Sequence, residues 1–285
     1  DEGGQVKTPH VMVIGCGDLA RRVLPKLQGL AYVTGVSRRP DTLPDALTTR
    51  LYGDYGVPVS LRDAAAMKPD YVVFTPVPSG RNIDGYRAGY AQSARNIGES
   101  GLLQHCRRAI FVSSTRVYAE KDGAWVTEDS PLAADDPFVR ALLDGEACFR
   151  RHAVATIVRP SGLYDGARPT MLTPILDGFA SQFGDAYTNR IHRDDAAEAL
   201  AAIILGDLSG RAIPATLNLN DDEPVKTKEL EAWCFEKLER EARGVRENRP
   251  RSSRRISNSK LRAMGVTLTY PSFRDGYLAA LHSQR

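Results

Sequence analysis

The stretch that decides the fold is Val11-Met12-Val13-Ile14-Gly15-Cys16-Gly17-Asp18-Leu19-Ala20-Arg21-Arg22. Its apolar run predicts a strand, its two glycines predict a tight turn, and its amphipathic end predicts a helix. In this pattern Gly15 permits the sharp turn, Gly17 lets the backbone approach a pyrophosphate, and the small Ala20 lets helix and strand pack closely. The N–H groups that open the helix would face the phosphates. GxGxxA alone also fits a plain turn between a core strand and a surface helix, so the rest of the chain must decide.

The composition excludes several classes of protein. The 285 residues include 42% hydrophobic and 26% charged side chains, which is ordinary for a globular chain. No apolar run approaches the roughly 20 residues needed to cross a bilayer, and the first residues lack the features of a signal peptide. The four cysteines match no metal-ligand spacing, and a net charge of +3 is too small to imply nucleic acid. We therefore expect reduced thiols, a cytoplasmic location, and no metal, membrane or nucleic-acid partner.

The end of the second predicted strand, over residues 31–37, indicates which dinucleotide is held. In an NAD-binding βαβ unit an acidic residue about 20 positions beyond the glycines hydrogen-bonds the ribose. Here that place reads Ser37-Arg38-Arg39. Guanidinium groups bind phosphate through paired, charge-assisted contacts, so the sequence favours NADP, with its 2′-phosphate, over NAD. The alternative is a solvated pair of arginines after a strand.

The remaining predicted elements complete an α/β pattern. Strands are predicted over 50–52, 70–75 and 109–113, and helices over 60–67, 83–104, 137–151, 170–179, 196–205 and 227–242. Asp194 and Asp195 are expected to cap the helix over 196–205, and Thr227 the helix over 227–242. The order β-α-β-β-α-β-α-β predicts a doubly wound parallel sheet with right-handed crossovers. Ligands bind at the carboxyl ends of such strands, where Thr75, Pro76 and Ser113 lie. Asp54 either caps a loop near an adenine or is an ordinary turn aspartate.

Several segments resemble one protein family. Ser113-Ser114-Thr115-Arg116-Val117-Tyr118 resembles the "SSxxVYG" segment of the extended short-chain dehydrogenase/reductase superfamily, which contains nucleotide-sugar epimerases and dehydratases. The glycine turn is similar to its cofactor loop. Further segments resemble "RPxxxYG", "IHVDD" and "NVxDDEP" in the same order, at residues 159–164, 191–195 and 218–224, and the resemblance continues at 257–262 and 270–276. It covers nearly the whole chain and is strongest to the atypical branch of epimerase-like proteins.

The resemblance implies a Rossmann fold with two parts. Residues 9–165 would form an NADP-binding domain to which residues 187–220 return. Residues 166–186 and 221–285 would form a smaller C-terminal substrate lobe. The residues expected to contact the cofactor are Gly15, Gly17, Asp18, Leu19, Ala20, Ser37, Arg38, Arg39, Asp54, Thr75, Pro76, Ser113 and Pro160.

The chain departs from the resemblance at the catalytic positions. In active members a tyrosine, and a lysine four positions on, perform the acid/base chemistry within the pattern YxxxKxxxE. Aligning that pattern on Glu146 places Phe138 at the tyrosine and Leu142 at the lysine. Neither side chain can transfer a proton, so the usual Tyr-Lys mechanism is excluded in this register.

Other groups would have to act on a substrate. The resemblance places a Ser or Thr side chain beside the substrate oxygen. Counting back from Val117-Tyr118 assigns this role to Ser114, and counting forward from the preceding strand assigns it to Thr115. Tyr90 stands where the family has an asparagine, and either takes part in catalysis or fills the space of the missing lysine. Four further residues either contact the substrate or have structural or solvent-facing roles: Arg116, Tyr164, Arg168 and His192.

Residues 243–255 form a basic run with six arginines and only Glu247 to oppose them. A nucleic-acid patch is one reading, but no aromatic residues interleave for base stacking. A solvated linker, or a rim that attracts an anionic substrate, is the preferred reading.

Together these features predict an NADP-dependent oxidoreductase of the atypical short-chain type, which transfers hydride to a small carbonyl or imine substrate. The alternatives are a non-catalytic NADP(H)-binding sensor and a nucleotide-sugar epimerase or dehydratase. Epimerase-like relatives often form homodimers through two long helices, so a homodimer is a further expectation.

Overall fold

The computed structural model describes residues 7–47, 49–166 and 169–284. Its strands are β1 His10–Ile14, β2 Tyr32–Ser37, β3 Thr49–Tyr52, β4 Tyr71–Phe74, β5 Arg108–Val112, β6 Asp122–Val126, β7 Ala155–Pro160, β8 Gly162–Tyr164, β9 Phe179–Ser181, β10 Tyr187–Thr188, β11 Arg190–His192, β12 Thr216–Leu219, β13 Val225–Lys226, β14 Gly244–Arg246 and β15 Ser253–Ile256.

Its α-helices are α1 Asp18–Leu27, α2 Arg62–Ala66, α3 Ile83–Tyr86, α4 Ser93–Glu99, α5 Pro137–His152, α6 Leu172–Leu176, α7 Arg193–Leu208, α8 Thr227–Leu238, α9 Ser259–Ala263 and α10 Phe273–His282. A π-helical segment, Arg87–Gln92, joins α3 to α4. Across the part of the chain described above, no helix is long and apolar enough to cross a membrane.

A seven-stranded sheet carries the fold, in the order β12-β7-β5-β4-β1-β2-β3. The pairs β1/β2, β2/β3, β1/β4, β4/β5 and β5/β7 run parallel. Val11 lies between Val33 and Tyr71, so the strand order changes direction at β1. Ligands bind at such a switch point in doubly wound sheets. The predicted α/β fold with a parallel sheet is confirmed.

The first compact unit comprises the described residues of 1–117, 133–159 and 200–217. Its core contains the apolar faces of β1, β4 and β5 and of the helices that cover them. Phe149 stacks on Phe74 at 5.7 Å and meets the edge of Phe111 at 5.1 Å. Continuous apolar strands are expected where both faces of a parallel sheet are covered.

The second unit comprises the described residues of 118–132, 160–199 and 218–285. Strand pairs β6/β15, β8/β11 and β9/β14 are parallel, and β10/β13 is antiparallel. Its core is formed by α6, α8 and α10, with Leu172, Leu230, Phe273 and Leu281 fully buried.

The prediction of one regular helix over 83–104 is wrong, because the observed helix is irregular and shorter. It changes to π-helix where Gly89 packs so closely on the preceding loop that an added Cβ would lie 2.2 Å from the carbonyl oxygen of Val77. The helix ends at Glu99, and Gly101 turns the chain with φ +81°. Tight packing against the loop therefore overrides the helical periodicity.

Two other predicted helices are too long. The segment 170–179 contains only α6, because Gly178 adopts φ +92° and Phe179 then enters β9. The helix predicted over 227–242 ends at Leu238, where Glu239 adopts the left-handed conformation.

Two predicted helix caps are also wrong. Thr227 does not cap α8, because its hydroxyl donates to the carbonyl of Ala186 at 3.1 Å and Lys226 is the N-cap residue. Asp195 lies in the first turn of α7, and its carboxylate accepts the N–H groups of Thr269 at 2.8 Å and Tyr270 at 2.9 Å. Both side chains bind segments that are distant in sequence.

Candidate functional site

The turn after β1 is held against the end of β4. Gly15 has φ +76°, and a Cβ atom there would lie 2.9 Å from the carbonyl oxygen of Thr75. The hydroxyl of Thr75 donates to the carbonyl of Gly15, and its N–H donates to Ile14 at 3.2 Å. Only glycine fits this left-handed turn without strain. Pro76, the next residue, is buried.

The start of α1 is open. Gly17 is the exposed N-cap of this ten-residue helix and supplies no side-chain cap, and an added Cβ would meet nothing within 4 Å. Leu19 and Ala20 are buried against the sheet, whereas Asp18 pairs with Arg22 at 2.8 Å on the surface. An uncapped helix start with open space above a glycine fits a pyrophosphate.

The end of β2 presents two cations. The hydroxyl of Ser37 accepts the N–H of Arg39 at 3.1 Å. Arg38 and Arg39 are both exposed, and neither guanidinium has a hydrogen bond or ion pair within the residues that the structure describes. Arg38 lies close enough to Tyr55 to oppose the rise that burial causes in the pKa of that phenol. Their charges are therefore available to a ligand.

Asp54 is engaged in a turn. One of its carboxylate oxygens accepts the N–H of Gly56 at 2.8 Å, and its carbonyl accepts the hydroxyl of Ser60 at 2.8 Å. These bonds shape the loop that follows β3.

A buried ionic cluster lies at the end of β5. The hydroxyl of Ser113 donates to Glu146 at 2.7 Å, and Arg159 donates to the same carboxylate at 2.6 and 3.2 Å. Glu146 is fully buried and Arg159 is 2% exposed. The hydroxyl of Ser113 is thus directed to the interior. The buried Pro160 follows Arg159 directly.

This cluster was not predicted from the sequence, where Glu146 served only to set the register of α5. An acidic residue on the apolar face of an amphipathic helix is a usable signal, because a buried carboxylate requires partners.

Ser114, Thr115 and Arg116 turn away from β5. The hydroxyl of Ser114 accepts the N–H of Arg116 at 3.1 Å, and Ser114 and Thr115 are half-buried. Arg116 is exposed and donates from Nη1 to the hydroxyl of Tyr86 at 2.9 Å. Its guanidinium lies 5.1 Å over the ring of Tyr86 and 4.7 Å over that of Phe138.

Aromatic rings surround the positions that the resemblance assigns to the tyrosine and lysine. Tyr86 lies 5.0 Å from Phe138 and 5.3 Å from Tyr90, between ring centroids. Leu142 is 1% exposed. Burial raises the pKa of Tyr90 to about 12, and Arg116 opposes that rise. Tyr90 is therefore a neutral phenol near pH 7, able to donate a hydrogen bond.

Tyr164 and His192 are core residues of the second unit. His192 stacks on Tyr270 at 3.8 Å, and its Nδ1 accepts the N–H of Asp194 at 3.1 Å. Tyr164 packs 5.2 Å from His192 and 5.0 Å from Tyr277. Arg168 lies outside the described residues.

The second unit also buries an acidic side chain that was not predicted from the sequence. Asp221 is 1% exposed, and burial raises its pKa to about 8 although Arg190 opposes the rise. Within the described ranges, Oδ2 of Asp221, Nε and Nη1 of Arg190, and the hydroxyl of Tyr164 have no hydrogen-bond partner.

The basic run has aromatic neighbours in three dimensions. The guanidinium of Arg255 lies 5.1 Å over Trp125 and 4.9 Å over Tyr187, and that of Arg243 lies 5.0 Å over Phe179. These rings come from segments distant in sequence. The basic run therefore has aromatic neighbours in the structure although no aromatic residue lies within it.

Described residues line a cavity in each unit. In the first unit a cavity of about 490 Å³ is lined by Asn82, Ile83, Asp84, Arg87 and Phe138. In the second unit a cavity of about 380 Å³ lies beside Asp122, residues 182–186, Arg251 and Ser253. Of the residues described, no three His, Cys, Asp or Glu side chains are grouped to hold a metal ion.

Comparisons with known proteins agree with this geometry. A family model described as NAD(P)H-binding matches residues 15–206. A solved structure of a candidate NAD-dependent epimerase/dehydratase from Methylobacillus flagellatus shares 28% identity over 98% of this chain and 100% of that chain, with a TM-score of 0.80.

Two further solved structures share the fold at lower identity. The dTDP-glucose 4,6-dehydratase DesIV from Streptomyces venezuelae, solved with NAD, is 20% identical over 96% of each chain, with a TM-score of 0.73. The human epimerase family protein SDR39U1, solved with NADPH, is 18% identical over 96% of this chain and 99% of that chain, with a TM-score of 0.73. No curated protein matches the sequence.

Proposed function

Because this chain belongs to the NAD(P)H-binding family of Rossmann proteins within the extended short-chain dehydrogenase/reductase superfamily, we propose that it is an NADP-dependent oxidoreductase. Its substrate would be a small carbonyl or imine compound. The observation that carries the proposal is the pair of unengaged cations, Arg38 and Arg39, beside an open glycine turn.

The residues present fit the cofactor. Gly17 leaves room for a pyrophosphate at the start of α1, and Thr75 holds the turn that shapes this cradle. Ser37 accepts the backbone N–H of Arg39, and Arg38 and Arg39 are both exposed directly after β2. When bound, NADPH supplies a hydride to the substrate.

The chain's own groups would polarise the substrate. Ser114 and Thr115 are half-buried at the carboxyl end of β5, and Tyr90 is held in the π-helical segment as a neutral phenol. A hydroxyl there can donate to a substrate oxygen and so replace part of what the absent tyrosine does. Ser113 is directed to the interior and would contribute only its backbone.

A non-catalytic NADP(H) sensor is the second candidate. Phe138 and Leu142 favour it, because both stand at proton-transfer positions and carry no titratable group. An epimerase or dehydratase, as the names of the solved relatives suggest, would need a base that these positions do not supply.

The test combines binding with turnover. NADPH and NADH affinities are measured by calorimetry for the wild-type chain and the Arg38→Ala/Arg39→Ala variant. Each charge-assisted contact contributes about 1.5 kcal/mol at the lower end, so NADPH affinity should fall about 100-fold while NADH affinity changes little. Arg140→Ala, at an exposed site on α5, is the matched control. Equal weakening of both nucleotides would refute the 2′-phosphate argument.

Turnover then separates the two candidates. A panel of small aldehydes, ketones and imines is added to the NADPH-loaded chain, and loss of NADPH absorbance is followed. The reductase proposal expects turnover with at least one compound, reduced about tenfold or more by Ser114→Ala or Thr115→Val. Tight NADPH binding with no turnover across the panel would favour the sensor instead.

A cytoplasmic location and a homodimer remain proposals of the sequence analysis. Cell fractionation tests the first, and light scattering of the full chain tests the second. The substrate is proposed to be a small molecule.

A further inference from the structure

Arg116 is an exposed cation that its neighbours hold in one place. Its Nη1 donates to the hydroxyl of Tyr86 at 2.9 Å, and its guanidinium stacks on the rings of Tyr86 and Phe138 at 5.1 and 4.7 Å. Those two rings pack edge to face at 5.0 Å. A guanidinium fixed in this way loses less conformational entropy when it binds a ligand than a free surface arginine does.

No acidic side chain neutralises this cation within the described residues. Asp84 lies on α3, the helix that also contains Tyr86, and it pairs with Arg87 at 3.9 Å. Arg116 has five N–H donors, and the described residues accept a hydrogen bond from only one of them. The remaining donors form a planar fork that matches a carboxylate through two parallel hydrogen bonds.

The surroundings of the cation are partly apolar. The guanidinium of Arg116 stacks on the ring of Phe138. Phe138 also lines the cavity of about 490 Å³, together with Ile83. The hydroxyl of Ser114 is held beside Arg116 by its bond to the backbone N–H at 3.1 Å. The guanidinium of Arg116 therefore lies against apolar surface, and the hydroxyl of Ser114 lies at its backbone.

We infer that Arg116 binds the carboxylate of a small organic acid whose apolar part packs on Phe138 and Ile83. The inference rests on the proposed function, because it names the substrate class of the same site. Phe138 stands where the resemblance places a proton-donating tyrosine, and here its ring supports a positive charge instead. A fixed cation selects an anionic ligand over a neutral one of the same shape.

Benzoate and benzamide test this selection because they share a ring and a planar head group and differ in charge. Their binding to the full chain, with and without saturating NADPH, is measured by ligand-observed NMR and calorimetry. Benzoate should bind at least about tenfold more tightly than benzamide to the wild-type chain. Its affinity should also fall as ionic strength rises, which benzamide affinity should not.

Variants test whether the preference for benzoate over benzamide depends on Arg116. Arg116→Gln should abolish the preference for benzoate, while NADPH affinity and the melting temperature stay close to those of the wild type. Arg140→Gln, an exposed arginine on α5 that donates to the carbonyl of Ala134, is the matched control and should keep the preference. Phe138→Tyr keeps a ring under the guanidinium and should also keep the preference for benzoate, whereas Phe138→Ala should weaken that preference.

Three results would overturn the inference: no benzoate binding, equal affinity for benzamide, or an unchanged preference in Arg116→Gln. The failure of the proposed function is separate. NADPH binding without benzoate selection contradicts only the anion site. Benzoate selection by Arg116 in a chain that binds no NADPH contradicts only the cofactor proposal.

Discussion

Loss of the buried carboxylate at Glu146 should destabilise the first unit strongly. Glu146 is fully buried and accepts from Ser113 at 2.7 Å and from Arg159 at 2.6 and 3.2 Å. Glu146→Gln keeps the shape but removes the carboxylate charge that pairs with Arg159, which is 2% exposed. Removing one partner of such a buried pair costs about 3–5 kcal/mol.

Urea unfolding measures this cost. The midpoint should fall with little change in slope, and the melting temperature should fall by roughly 6–20 °C. Asp144→Asn lies on the exposed side of the same helix and should change stability by less than about 0.5 kcal/mol. This control separates burial of the ion pair from the mere loss of an acidic residue on α5.

A double variant tests the cause of the effect. Glu146→Met with Arg159→Met removes both charges and fills similar volume, so it should cost clearly less than the sum of the two single changes. Two results would refute the reasoning. One is a Glu146→Gln variant as stable as Asp144→Asn, and the other is a double variant that loses the full sum.

Two further perturbations address the second unit and the glycine turn. The pKa of Asp221 is raised from its ordinary 3.8 to about 8 in the folded chain, so its contribution to stability is full at low pH and is lost as pH rises toward 8. Asp221→Asn should match the wild type only below about pH 4 and should gain at least about 2 kcal/mol on it between pH 5 and pH 8 in urea titrations; a constant difference across pH would contradict this. Gly15→Ala should destabilise the chain by about 1–2 kcal/mol, because the left-handed backbone and the approach to Thr75 leave no room for Cβ. Gly17→Ala has open space and should leave stability unchanged while NADPH affinity falls about tenfold, and unchanged NADPH affinity in calorimetry would argue against a phosphate at this turn.

The local patterns predicted the sheet well. The glycine turn, β1, β4 and β5 could be read from residues close together in the sequence, because strands buried on both faces are continuously apolar and a left-handed turn requires glycine. Helix ends were predicted less well. Gly178 and Glu239 end their helices earlier than periodicity indicated, since a single left-handed residue stops a helix without changing the hydrophobic pattern.

The site was predicted unevenly for a related reason. The residues proposed to hold the cofactor occur in short motifs, so the sequence could suggest them. The cluster of Ser113, Glu146 and Arg159 could not, because its members come from β5, α5 and β7. The contacts of Arg116 with Tyr86 and Phe138 could not be predicted either, because the three residues come from separate segments.

The sequence by itself determined the family and the parallel sheet, because both depend on residue type and spacing along the chain. In the register of the resemblance it also predicts Phe138 and Leu142 at the positions of the tyrosine and lysine. Only the tertiary structure decided what these side chains and their neighbours contact. It packs Phe138 under the guanidinium of Arg116 and directs the hydroxyl of Ser113 to Glu146. Such contacts depend on how distant segments pack, and local hydrophobic periodicity carries no information about which partner a side chain meets.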